Sequence, residues 1–163
     1  MSYLGFRNPH GSLLIVMLVA WLVSSAHTTS ADQAENIKDF GVSDIQVRSV
    51  QTLAVADCNA RLQQAAANRE AWTREAILVA LHFVGPELRG HTKVIEVKTP
   101  PERRDSATVT VTESGYPDDA VAGARWRLWL ARDATGGWHI NRALWAQLCA
   151  RPGQTFYSAT PCP

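Results

Sequence analysis

Residues 124–149 read ARWRLWLARDATGGWHINRALWAQLC, and no other stretch limits the fold as severely. Trp126, Leu128 and Leu130 alternate with Arg125, Arg127 and Trp129, the two-residue period of a strand with one buried face. The segment Asp133-Ala134-Thr135-Gly136-Gly137 suits a three-residue hairpin loop, 134–136, in which Gly136 takes the positive φ that other residues resist. In that register Leu130 faces Ile140 and Arg132 faces Trp138. Trp126, Leu128, Leu130, Trp138, Ile140 and Leu144 then share one face, and a slip of one residue would turn half of them into water. The other face carries Arg125, Arg127, Trp129, His139, Asn141 and Trp145, with Arg127 opposite Ala143 and Trp129 opposite Asn141. Arginines beside indoles and a titratable histidine are what an interface or a small-molecule cleft uses. If a helix packs here instead, Trp129 and Trp145 are core.

Upstream, the apolar period lengthens. Val50, Leu53, Ala54, Cys58, Arg61, Leu62 and Ala65 recur at three- and four-residue spacing, which predicts a helix. Asn68 is a good cap for a second helix over 69–84, with Glu70 in its first turn. Its second half, AILVAL, is apolar nearly all round and predicts packing on more than one side, and Gly85-Pro86 ends it. Residues 31–41 are polar apart from Ile37 and Phe40 and read as a loosely held start. Residues 43–48 read as a short edge strand with Ile45 and Val47 on one side. After Gly90 come two strands. TKVIEVK (92–98) puts Ile95 and Val97 on one face, and SATVTVTE (106–113) points Ala107, Val109 and Val111 inward. Helices followed by antiparallel strands predict a single α+β domain over residues 32–163. The expected layout is N-terminal helices on one face of a curved antiparallel sheet of about four strands.

The first residues read as an address. Arg7 precedes an apolar run, 13–23, and the small residues Ser24-Ser25-Ala26 and Thr29-Ser30-Ala31 follow, the order of a secretory signal over residues 1–31 cleaved after Ala26 or Ala31. The run falls short of the roughly 20 residues a bilayer span needs. The expectation is a secreted or periplasmic chain with no stable membrane anchor once the signal is removed. In an oxidising compartment two of Cys58, Cys149 and Cys162 should pair, and three connectivities are open. Cys149 with Cys162 is preferred, because it staples the C-terminal tail onto the last hairpin strand and leaves Cys58 as a buried helical thiol. Past the signal, Lys and Arg balance Asp and Glu, and Lys38, Lys93 and Lys98 are the only lysines. Such balance argues against nucleic acid and against a polybasic membrane contact as partners.

Element order over about residues 50–149 resembles the cystatin-like and NTF2-like α+β families, in which a helix lies across a bent antiparallel sheet. A tryptophan-rich hairpin that ends in cysteine, with a second cysteine closing the C-terminus, resembles small exported bacterial proteins. These resemblances imply an extracytoplasmic domain and no particular chemistry.

Motifs that carry a mechanism, GxSxG, GxxxxGK[ST], GxGxxG, HExxH and paired CxxC, are absent from the sequence. His27, His82, His91 and His139 lack the spacing of a zinc site, so neither a metal nor a cofactor is expected. Tyr116 with Asp118 and Asp119 is a further candidate, for a cation or for acid–base work, against the plainer reading of a solvated turn. Three functions stay open: an exported binding module for an unknown protein or small-molecule ligand, a small hydrolase- or isomerase-like enzyme with a helix–sheet pocket using His139 with Arg127 or Asp118, and an envelope accessory protein. The missing motifs count against the enzyme, and the arginine–tryptophan face favours the binding module.

Overall fold

A computed structural model describes residues 30–151 and 154–163. The expected signal lies outside them up to residue 29, the Ala26 cleavage point included, while Ala31 stands in the first turn of a helix. Among the described residues three α-helices, α1 (Ser30–Phe40), α2 (Ala56–Ala67) and α3 (Ala76–Val84), accompany a curved, unclosed sheet of seven strands. The strands are β1 (Gln46–Val47), β2 (Gln51–Thr52), β3 (Thr92–Lys98), β4 (Ser106–Ser114), β5 (Val121–Arg132), β6 (Trp138–Arg151) and β7 (Gln154–Ser158). They run in the order β1-β7-β6-β5-β4-β3, and β2 pairs with β6 off that path. The α+β class and the Cys149–Cys162 bond agree with expectation, and Cys58 is free and buried. A sheet of about four strands was too small. The tail folds back as β7 on β6, and β1 lies parallel to β7.

One face of the sheet behaves as its alternation demands. Ala107, Val109 and Val111 of β4 and Trp126, Leu128 and Leu130 of β5 are buried with Trp138 and Ile140 against Cys58 and Leu62 of α2 and Val79, Ala80 and Val84 of α3. Fully burying each larger side chain contributes about 1.5–3 kcal/mol, so this layer carries most of the hydrophobic stabilisation. On α2 the buried positions Cys58, Leu62 and Ala65 follow the helical period. The period starting at Val50 does not make a helix before Ala56. Residues 51–53 run along β6, where β2 pairs Gln51 with Trp145 and the Leu53 N–H reaches the Ala143 carbonyl at 2.9 Å.

The second helix is broken. Asn68 closes α2 rather than opening its successor, Arg69 takes φ +60°, a short 3₁₀ turn spans Ala71–Arg74, and Glu75 is extended before α3. The physical gain is a free carbonyl. Arg74 accepts from the Trp138 indole N–H at 3.0 Å and from Arg132 at 3.4 Å, which locks the helical layer to the hairpin. Packing of α3 on more than one side was expected, but its buried residues, Ala76, Val79, Ala80 and Val84, follow one helical face, and Ile77 and Leu78 are 37% and 38% exposed. Gly85 ends it as expected, its N–H bonded to the Leu81 carbonyl.

Helices cover both faces, not one. Residues 31–41, expected to be loose, fall largely in α1, which buries Phe40 with Val50, Leu144, Ala146 and Tyr157 on the far side of the sheet from α2 and α3. Phe40 meets the Tyr157 ring edge-on at 5.5 Å.

Candidate functional site

The hairpin turn and its first pairs stand as expected: Gly136 has φ +83°, Leu130 opposes Ile140 and Arg132 opposes Trp138. The register then shifts. Trp129 opposes Arg142, not Asn141, so Asn141 is an extra residue in a β-bulge. Every residue of β6 beyond it changes face relative to the unbulged reading. Arg127 pairs with Leu144 instead of Ala143, and Trp126 pairs with Trp145. Leu144 therefore belongs to the α1 side, and Trp145 to the α2–α3 side, where it packs beside the larger core.

The α1 side presents Arg125, Arg127 and Trp129 from β5 and Arg142 from β6. Two guanidinium groups approach the Trp129 ring, Arg142 at 4.7 Å and Arg127 at 5.4 Å from its centroid. Arg142 also pairs with Asp39 at 2.6 Å and donates to the Asn36 amide oxygen, so α1 is fastened to β6 through it. Arg125 donates to the Thr112 hydroxyl at 3.0 Å and to the Gly41 carbonyl at 3.3 Å. Gly41 follows α1 with φ +68°, and a Cβ there would lie 1.7 Å from Nη1 of Arg127, so the guanidinium rests against bare backbone. The buried Nε atoms of Arg125 and Arg127 have no acceptor among the described residues. Burial first, and Arg125 second, push the Arg127 guanidinium below its ordinary pKa, against the opposing pull of Asp39 and Glu96.

Other predicted site residues lie elsewhere. His139 opposes Ala131 and borders a notch of about 290 Å³ with Asn59, Leu62 and Asp133. The Asp133 carboxylate is committed to the turn, accepting from the Thr135 hydroxyl at 2.6 Å and from the N–H groups of Thr135 and Gly137, and these bonds, the Thr135 hydroxyl foremost, hold it below the usual carboxylate range. Asn141 borders a pocket of about 320 Å³ with Trp129, Thr108 and Arg103. Trp145 joins Asp118 and Asp119 around a shallow hollow near Cys162. Asp118 braces its loop, accepting from the Val121 and Ala120 N–H groups at 2.7 and 2.8 Å, which lower its pKa. Tyr116 donates to Glu113, a buried carboxylate paired with Lys93 at 2.9 Å, and burial and then Glu113 push the phenol up. Lys93 in turn donates to the Gly85 and Glu87 carbonyls at 3.0 and 2.5 Å, tying the end of α3 to the sheet.

Sequence reasoning missed Arg142, Asn36, Asp39 and the Lys93–Glu113 pair. For α1 the signals existed: Asp32 in the first turn, Lys38 in the last, Gly41 just past the end, and Ile37 and Phe40 at helical spacing. For Arg142 there was none, because only the bulge puts it beside Trp129. A cleft of about 980 Å³ also went unforeseen. It lies between Asp32, Gln33, Glu35 and Asn36 of α1 and residues 49–54, with Arg142 in its wall.

No group of three or more His, Cys, Asp or Glu suited to a metal ion occurs among the described residues, and none of their helices is long and apolar enough to cross a membrane. No family model, curated protein or solved structure matches the chain.

Proposed function

We propose that this chain is an exported binding module, working outside the cytoplasm, whose ligand-facing surface is the α1 side of the β5–β6 hairpin together with the cleft that adjoins it at Arg142. The observation that carries this reading is the cluster of Arg127, Trp129 and Arg142, two guanidinium groups close to one half-buried indole, with Arg142 in the wall of a roomy, mixed polar and apolar cleft. Export is supported by the signal-like residues 1–31 and by a disulfide, Cys149–Cys162, of the kind that persists in oxidising compartments. His139 lends little to an enzymatic reading, since its neighbouring carboxylate, Asp133, is already spent on the turn.

The test is a thermal-shift screen of the oxidised mature chain against amino acids, sugars, nucleotides and small carboxylic acids. Thr52→Trp, an exposed position in the cleft wall, serves as the obstructed variant. The expected result is a ligand that raises the Tm of the wild type and not of Thr52→Trp. Stabilisation by no compound, with the chain retained in the cytoplasmic fraction when expressed in full, would overturn both the binding and the export readings.

A further inference from the structure

Arg125 and Arg127 stand two residues apart on β5, so both side chains leave the same face of the sheet. Both are half-buried, and neither enters an ion pair among the described residues. Their treatment differs from that of Arg142, whose charge is met by Asp39 at 2.6 Å. Among the described residues Arg125 has only neutral oxygens, those of Thr112 and Gly41, and each of the two arginines keeps a buried Nε–H with no acceptor. A buried donor left unmade is costly, and a guanidinium sheltered from water is ordinarily matched by an anion. The carboxylates that act on Arg127 are Asp39, already engaged by Arg142, and Glu96 on β3. Across β4, Thr110 opposes Arg127 and Thr112 opposes Arg125, so two hydroxyl-bearing residues line the same face. The Arg127 guanidinium packs on the Gly41 backbone in the place a Cβ would take, which holds it on this face.

We propose that Arg125 and Arg127 form a binding site for an oxyanion, the phosphate, sulfate or carboxylate group of a small-molecule ligand. The inference rests on the reading of this face as the ligand-facing surface and gives that ligand a chemical class. The forked donors of guanidinium match the oxygens of such groups two at a time, which lysine does not do, and the central strands β5 and β6 carry arginine and no lysine. Phosphate and sulfate present a tetrahedral set of oxygens and acetate a planar pair, so the three probes distinguish the possible sources of the same chemistry.

The experiment is a titration of the ¹⁵N-labelled, oxidised mature chain with inorganic phosphate, sulfate or acetate at constant ionic strength held with chloride, following the arginine Nε–Hε resonances and Tm together. The expected result is saturable movement of the Arg125 and Arg127 resonances by at least one oxyanion. Arg127→Gln should then weaken binding by about tenfold or more, the loss of a charge-assisted fork. Arg127→Lys, which keeps the charge, should fall in between, and the exposed Arg104→Gln should leave affinity unchanged. Shifts that chloride reproduces, or that move surface arginines equally without saturating, would overturn the proposal, and the wild-type titration decides this even if the Arg127 variants fail to fold. A neutral compound that stabilises the chain while all three anions do nothing would also overturn it, yet would leave the binding-module reading standing.

Discussion

Asn59 shows how a single side chain can stand in for a strand. Its amide donates to the Ile140 carbonyl at 2.8 Å and accepts from the Ile140 N–H at 2.9 Å, completing the edge of β6 where β2 and Leu53 no longer reach. Asn59→Ala would leave both backbone groups unpaired, at a cost of about 1–3 kcal/mol each before water reclaims them. Urea denaturation should register a loss in that range, and an unchanged midpoint would mean that solvent already serves this edge. Tyr116 gives a pH signature. Its phenol is raised above its ordinary value by burial and by Glu113, so the fold favours the neutral form. The associated stability is fully present below the unfolded value, about pH 10, and is lost as pH rises through the folded one. Tyr157, also raised by burial, acts in the same direction. Tm followed by circular dichroism should therefore fall in strong alkali, and less steeply in Tyr116→Phe, although that variant starts lower because Glu113 loses a donor. Equal slopes would place the alkaline sensitivity at other groups. Neither role could be read from the sequence: Asn59 and Glu113 are polar residues whose partners lie on other elements.

At the scale of elements, β6 is decided by its bulge. Its apolar residues obey one alternation up to Ile140 and the opposite one from Arg142, with Asn141 taking up the difference. Deleting Asn141 would join the two halves in a continuous register. Arg142 would stay opposite Trp129, and Leu144 and Ala146 would stay with Phe40 and Tyr157, so only the local bend of the bulge is lost. We expect the deletion variant to fold, whereas one alanine inserted after Ala143 would turn Leu144 and Ala146 off the α1 side and should abolish cooperative unfolding and soluble expression. An insertion variant with wild-type stability would show that β6 can slip without penalty. The bulge also explains why Trp145 was misplaced by pattern alone. A period-two reading contains no marker for an inserted residue, and Asn141 is as compatible with an ordinary outward position as with a bulge.

For the whole molecule, the Cys149–Cys162 bond closes a loop of 13 residues around β7, which carries Phe156 and Tyr157 into the interior and pairs with β1. Its removal should lower stability by about 3 kcal/mol in the chain-entropy account. Guanidinium denaturation with and without reductant measures this, and a coincident pair of curves would show that β7 is held without its staple. Cys58 should resist alkylation until unfolding, since burial both hides the thiol and raises its pKa. Local pattern was enough to determine the strands 92–98 and 106–113, the hairpin turn at Gly136, the end of α3 at Gly85 and the apolar face of β5, because each depends on neighbours in the chain or on period two. The cysteine pairing was a preference among three connectivities that the structure decided. What the tertiary structure alone decided was which side of β6 each residue shows past Asn141, the break at residues 69–75 that frees the Arg74 carbonyl for Trp138, and the docking of α1 over the arginines. Those outcomes balance contacts between segments distant in sequence, and a one-dimensional pattern holds no record of the partner that makes an inserted residue or a broken helix worth its local cost.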